Sequence, residues 1–408
     1  MVLRERKMAK LCVCTIYVHG ALLQVKTGRD GVSVVQVNYA FDNDLSDPDA
    51  LLDRYATLTG WADALVAAGA KRSAVVQRFH RTARIIRDGV EYRFVDRGEP
   101  AAVLSMAPDV VHVNGLGFAA RTWRLRRSLP PPVAIVVQNH ADTGPMGRAP
   151  LARVIGAATR GAVDAFLFAA DEHVGRWRRA GFVGPRQRTY QVMEASTALV
   201  PIPRADAEAA TGMRGRPAIL WVGRLNANKD PLTVLEAFER ALATLPEATL
   251  TMLCGSSELG DAVAARIARS AALRDRVRLA GAVAHDRIGG YFSAADLFVA
   301  GSHHEGSGYA AIEALACGAT PVVTDIPSFR VLTRGGAIGV LWPVGDAGAC
   351  ARALATAGQL NLDAERVRVR EHFARHGSWA AVGRRAMEIY TDVVSARRAG
   401  AARLRAKP

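Results

Sequence analysis

Two glutamates, Glu305 and Glu313, stand eight positions apart in the run Glu305-Gly-Ser-Gly-Tyr-Ala-Ala-Ile-Glu313. Gly306 and Gly308 leave backbone N–H groups bare at the start of a helical stretch, where the helix dipole is positive, and that makes a site for a diphosphate. A carboxylate beside a phosphate site is electrostatically unfavourable unless it has another task, such as accepting hydrogen bonds from sugar hydroxyls. The segment therefore carries two acidic tasks, one in the loop at Glu305 and one inside the helix at Glu313. A second constellation lies in Gly223-Arg-Leu-Asn-Ala-Asn-Lys229-Asp-Pro231. A strand ends at Gly223, and Asp230 with Pro231 caps and opens the next helix. Arg224 and Lys229 thus fall in the turn beyond the carboxyl end of a strand, the edge where open α/β sheets bind ligands, and two cations there would clamp a leaving diphosphate without a metal.

These residues need a scaffold of alternating strands and helices. Short β-branched runs recur at 32–37, 75–79, 90–95, 110–113, 133–137 and 165–168, and again at 218–222, 249–254, 277–279, 297–299 and 321–324. Between them lie Ala/Leu/Arg-rich stretches, a pattern that predicts parallel sheets with helices on both faces. One strong helix is expected from Asp47-Pro48-Asp49 onward, with Leu51, Leu52, Tyr55, Leu58, Leu65 and Val66 as its apolar stripe. The proline-rich stretch from Val200 to Arg204 divides the series into two similar halves. The expected fold class is α/β, with two Rossmann-like domains facing each other across a cleft. The predicted divisions are an extension over 1–31, a first domain over 32–200, a second over 201–378, a helix over 379–396 packing back on the first domain, and a frayed tail over 397–408.

Composition narrows the function classes. Fifty-three Lys and Arg against 38 Asp and Glu give a net charge of +15, which favours anionic partners. Aromatic residues are 6% of the chain and no basic cluster is interleaved with them, so the pattern of a nucleic-acid stacking platform is absent and no nucleic-acid partner is expected. A basic first domain that touches anionic lipid accounts for the charge equally well. The five cysteines include no C-x-x-C pair, and a reducing cytoplasm is expected. The early apolar run from Leu11 to Val18 is too short to span a membrane and reads as a buried first strand or an irregular extension. Gly115-Leu-Gly117-Phe-Ala-Ala120 fits a relaxed dinucleotide fingerprint, the mark of a nicotinamide oxidoreductase, but it follows an internal strand, where close helix–strand packing explains it as well.

Taken together, the chain resembles retaining glycosyltransferases of the GT-B fold, family 4. Glu305 and Glu313 form that group's E-x7-E pattern, and Gly223-Arg224 with Lys229 resembles its G-R-x4-K element. Val277-Arg-Leu-Ala-Gly-Ala-Val, Tyr291-Phe-Ser-Ala-Ala-Asp-Leu, Glu313-Ala-Leu-Ala-Cys-Gly and Pro321-Val-Val-Thr-Asp extend the likeness through the second half. The resemblance implies that Gly223, Arg224 and Lys229 hold the diphosphate of a nucleoside-diphosphate sugar. Backbone N–H groups of Gly306, Ser307, Gly308 and Tyr309 would complete that site, with Glu313 on the ribose hydroxyls and Glu305 on the donor sugar. Asp109-Val-Val-His112 and Val133-Ala-Ile-Val-Val-Gln-Asn-His140-Ala-Asp142 resemble first-domain strands whose ends face the cleft, which places His140 beside the reacting sugar. The implied reaction moves a sugar, with retention, to an acceptor hydroxyl of a glycan, a lipid-linked molecule or a small metabolite, with no metal and no other cofactor. The family's glycine pair after the first strand is missing from the loop 38–44, and its Pro-Ser before the first glutamate is replaced by Gly301-Ser-His-His304.

Overall fold

The computed structural model describes residues 13–18, 21–26, 31–140 and 150–405. Strands β1 (Val13–Val18) and β2 (Ala21–Lys26) form an antiparallel two-stranded sheet of their own. The early apolar run is thus a first strand, paired outside the two main sheets, and not an irregular extension. The run that follows it at once, Ala-Leu-Leu-Gln-Val-Lys, supplies its hydrogen-bonding partner.

The first main sheet contains β3 (Ser33–Asn38), β4 (Arg72–Arg78), β5 (Ala83–Arg87), β6 (Val90–Val95), β7 (Val110–Asn114), β8 (Ala134–Gln138), β9 (Ala165–Phe168) and β10 (Arg188–Gln191). Their order is β10-β9-β8-β7-β3-β4-β6-β5, parallel throughout except for the β5/β6 hairpin. The central strands are valine-rich and buried along nearly their whole length, as strands covered on both faces must be. Toward the edge the pattern changes to alternation: Val90, Tyr92 and Phe94 point inward, while Glu91 receives Arg84 and Arg93, each at 2.8 Å. Those charges blunt an edge that would otherwise pair with another chain.

The second sheet is entirely parallel, in the order β13-β12-β11-β14-β15-β16. Its strands are β11 (Ala218–Leu225), β12 (Thr249–Ser257), β13 (Val277–Gly281), β14 (Leu297–Ala300), β15 (Thr320–Thr324) and β16 (Val340–Trp342). In each sheet the first strand of the series, β3 or β11, is flanked on one side by the strand after it and on the other by a later one. Strand order thus reverses beside β3 and beside β11, and a crevice opens at the carboxyl ends there.

The single helix expected after Asp47 is two helices, Pro48–Arg54 and Ala56–Ala67, divided at Tyr55. Asp47 does cap the first, accepting from the Ala50 N–H at 3.1 Å. The break turns the expected stripe out of register, so that Tyr55 and Val66 are exposed while Trp61 and Ala62 are buried.

The last helix, Trp379–Arg405, lies against helix Ala56–Ala67 and buries Val382, Ala386, Ile389, Tyr390, Val393 and Val394. Tyr390 reaches deepest: its hydroxyl accepts from Trp61 Nε1 at 3.1 Å and meets His112 Nδ1. The fraying expected from residue 397 is absent through Arg405. Arg397 is held by Asp164 at 3.0 Å and Arg398 by Asp109, carboxylates at the amino ends of β9 and β7, and these pairs extend the helix.

Candidate functional site

At the carboxyl end of β11 the chain makes a turn that must pass close to itself. A Cβ on Gly223 would come within 3.2 Å of the Trp221 ring and 3.4 Å of Lys229 Cγ, so glycine gives the lysine stem room to lie across the strand end. Asn226 Oδ1 accepts from the Lys229 backbone N–H at 3.0 Å. Asp230, at φ 43°, caps the helix Pro231–Ala241 through the Thr233 N–H. With its backbone fixed in this way, Lys229 points Nζ at Glu305, and the two form an ion pair with most of each side chain buried. Arg224, on the same strand end, is exposed.

The facing loop, residues 301–308 after β14, is held from several sides. Ser302 Oγ donates to Glu305 Oε1 at 2.7 Å, Thr324 Oγ1 to the Ser302 carbonyl at 2.6 Å and Ser328 Oγ to the Glu305 carbonyl at 2.9 Å. Asn228 clasps the backbone of His304 through both ends of its amide, at 3.1 Å each. His303 Nε2 sits 3.2 Å from Asp230 Oδ2. The loop ends at Gly308, where φ is 74° and a Cβ would stand 2.7 Å from the Phe329 ring, a position that suits a residue without a side chain. Helix Tyr309–Cys317 begins there with no side-chain cap on its N–H groups, and Gly318 at φ 88° ends it. An uncapped amino end inside a crevice presents partial positive charge to an anion.

Glu313 is 5% exposed, and burial pushes its carboxyl up to about 7. It borders a cavity of about 480 Å³ shared with Thr197, Leu199, His285, Tyr309 and Trp379. The Tyr309 hydroxyl is pushed up to about 12 by burial and by the Glu313 and Glu194 charges.

The first domain meets this loop directly. A Cβ on Gly306 would lie 2.8 Å from Glu194 Oε1 and 2.9 Å from the His140 carbonyl oxygen. The His140 ring has Nε2 at 3.1 Å from Asn114 Oδ1 and Nδ1 at 3.3 Å from Glu194 Oε2. Lys229, Glu305, Gly306, His140 and Glu194 therefore form one continuous wall across the interdomain crevice. Asp142 lies outside the described residues. Of the other quoted strand residues, Asp109 sits at the amino end of β7, where it binds Arg398 and the Ser33 N–H, away from the crevice. His112 is fully buried, and burial lowers its imidazole to about 3, which keeps it neutral against Tyr390. At Gly115, φ 96°, a Cβ would lie 3.3 Å from the Phe118 ring, so the glycine there admits an aromatic side chain that packs on Tyr39.

Sequence reasoning missed Glu194, Asn38, Asn114 and Gln138. The last three carry a signal, since each is the polar residue that closes a valine-rich run and so stands at the ligand edge of a parallel sheet. Glu194 follows β10, a four-residue partly exposed strand with no apolar run to announce it. Among the described residues no group of three or more His, Cys, Asp or Glu side chains is placed to hold a metal ion, and no helix is long and apolar enough to cross a membrane.

Residues 205–372 match the model of the sequence family described as Glycosyl transferases group 1. The GDP-mannose:cellobiosyl-diphosphopolyprenol alpha-mannosyltransferase of Xanthomonas campestris is 30% identical over 169 residues, 41% of this chain and 44% of that protein. The D-inositol 3-phosphate glycosyltransferase of Thermobispora bispora is 30% identical over 207 residues, 48% of this chain and 47% of that one. The chain thus spans about half the length of the curated relatives it matches. The structure of sucrose-phosphate synthase from Thermosynechococcus elongatus superposes with a TM-score of 0.63 at 18% identity, over 89% of this chain and 100% of that one. The fold is GT-B.

Proposed function

We propose that the protein is a retaining glycosyltransferase that moves a sugar from a nucleoside-diphosphate donor to an acceptor hydroxyl. The observation that carries this reading is the convergence of Lys229, Glu305 and the uncapped amino end of helix Tyr309–Cys317 at the point where strand order reverses. A diphosphate bound there meets two cations, Arg224 and Lys229, and the N–H groups of residues 306–309. Glu313 faces the ribose hydroxyls and Glu305 the donor sugar. The similarity of residues 205–372 to a glycosyltransferase family, and the GDP-mannose donor in the name of one relative, support the same assignment.

In the reaction the bond from the anomeric carbon to the diphosphate oxygen breaks and a bond to the acceptor oxygen forms on the same face. The acceptor proton passes to the departing phosphate oxygen, so no protein nucleophile is needed. The protein's main task is to stabilise charge that grows on the leaving group, which the two cations and the helix end do without a metal. His140 stands where it can hydrogen-bond the transferring sugar. Gly306, packed on His140 and Glu194, closes the crevice against water.

The first domain also offers a surface for anionic lipid at the inner face of a membrane. Trp123 is 40% exposed with Arg127 stacked 4.9 Å from its ring centre, and Val154 on the adjoining helix is 63% exposed. Liposome binding that falls with salt supports this peripheral contact, and binding unaffected by salt counts against it. For the reaction itself, the test is NMR of the glycoside formed from a nucleoside-diphosphate α-sugar. An α-linked product agrees with retention, and a β-linked product overturns it.

A further inference from the structure

At the carboxyl ends of β3, β7 and β8 the first domain encloses a cavity of about 330 Å³ whose lining includes Gln36, Trp61, Asn114, Phe118, Gln138 and Glu194. Three of these polar residues are almost wholly buried, Gln36 and Gln138 at 1% exposure and Glu194 at 7%. Each has a side-chain atom without a hydrogen-bond partner: Nε2 of Gln36, Nε2 of Gln138 and Oε2 of Glu194. Glu194 Oε2 lies 3.3 Å from His140 Nδ1, in ion-pair range but without a hydrogen bond. Buried amide and carboxylate atoms are nearly always hydrogen-bonded, so three unpartnered ones in one cavity are unusual unless a ligand completes them.

The chemistry of the lining says what that ligand is. Two free donors and a free acceptor match hydroxyl groups, which both give and take hydrogen bonds. Phe118, partly exposed on the lining, supplies a flat apolar face of the kind on which the C–H face of a pyranose ring rests, while Trp61, 3% exposed, lies almost wholly within the cavity wall. The lining contains no lysine and no arginine, the residues that bind phosphate, and its one carboxylate repels an anion. The floor is rigid, because Tyr390 joins Trp61 to His112 beneath it.

From this we infer that the acceptor group seated in the cavity is an uncharged saccharide ring, not a phosphorylated polyol. The inference rests on the glycosyltransferase reading and narrows its acceptor. Glu194 and His140 also touch Gly306 of the donor loop, so the hydroxyl nearest them is the one that receives the sugar. Glu194 orients that hydroxyl by accepting its hydrogen bond, while the proton leaves with the diphosphate.

Ligand-observed NMR on the whole chain tests this, with cellobiose, methyl α-mannoside and inositol 1-phosphate as probes and with UDP, GDP and ADP titrated in parallel. The expected result is binding of at least one neutral saccharide, inositol 1-phosphate being at least fivefold weaker. Gln36→Leu and, at the more exposed rim, Asn114→Ala each weaken saccharide binding fivefold or more. Inositol phosphate binding as tightly as the sugars overturns the inference, as does saccharide binding unchanged in both variants. Nucleotide binding without any saccharide binding overturns it too and leaves the donor site standing. Saccharide binding without any nucleotide binding upholds the cavity and sinks the glycosyltransferase reading.

Discussion

Replacing Lys229 with alanine removes the cation that faces Glu305 and, in the proposed complex, the leaving diphosphate. One unit of negative charge develops on that group as the glycosidic bond breaks. At about 4 Å and an effective dielectric of about 20, a single cation stabilises it by about 4 kcal/mol. Since each ~1.4 kcal/mol is a factor of ten, the expected loss in kcat is about a thousandfold, and partial compensation by Arg224 brings it toward a hundredfold. A merely structural lysine would act by neutralising Glu305, which is 15% exposed and keeps only the Ser302 hydroxyl once the cation is gone. The double variant Lys229→Ala/Glu305→Gln separates these roles in melting temperature, which Glu305 does not affect through the donor sugar: removing the carboxylate charge rescues a structural defect and leaves a leaving-group defect in place. The assay is the steady-state release of nucleoside diphosphate, with thermal melting as the fold control. A loss below about fivefold in the single variant, or activity restored in the double variant, refutes the leaving-group role.

The Glu313 carboxyl, raised by burial to about 7 from an ordinary 4.5, contributes stability that is fully present below about pH 4.5 and is lost as pH rises through about 7. Glu313→Gln is therefore expected to be more stable than the native chain at pH 8, by up to about 3 kcal/mol, with a flatter melting-temperature profile between pH 5 and pH 8. In the proposed complex the ribose hydroxyls donate to the ionised form, so nucleotide affinity measured by calorimetry is expected to rise through about pH 7 in the native chain and not in Glu313→Gln. Gly306→Ala places a methyl 2.8 Å from Glu194 and 2.9 Å from the His140 carbonyl, forcing the two domains apart there. A shift of roughly half an ångström there costs on the order of tenfold in turnover, while the melting temperature, set by the two cores, changes little. Tyr390→Phe leaves Trp61 Nε1 and His112 Nδ1 unpartnered in the core, which lowers stability by about 1–3 kcal/mol and the melting temperature by a few degrees.

Much of the second domain was legible from sequence because its chemistry and its folding use the same residues. Pro231 after Asp230 and Gly318 after Cys317 mark helix ends, and those ends fix where Lys229 and Glu313 stand. The first domain was harder to read. Its strands were visible in their valines, but β5 and β10 are short edge strands with little buried surface to shape their composition, as is β16 at the edge of the second sheet. The split at Tyr55 left no glycine or proline to mark it. Glu194 gained its place only through a tertiary meeting with His140 and Gly306, residues from opposite sides of the crevice. The C-terminal arginines read as a fraying tail because their partners, Asp109 and Asp164, lie more than two hundred positions away.

The most direct measurement is calorimetric titration of the native chain, Arg224→Ala and Glu313→Gln with UDP, GDP and ADP. A donor crevice at the end of β11 predicts that one nucleotide binds the native chain, that Arg224→Ala weakens it tenfold or more, and that Glu313→Gln removes its pH dependence. Failure of all three nucleotides to bind, or binding that both substitutions leave unchanged, would contradict it.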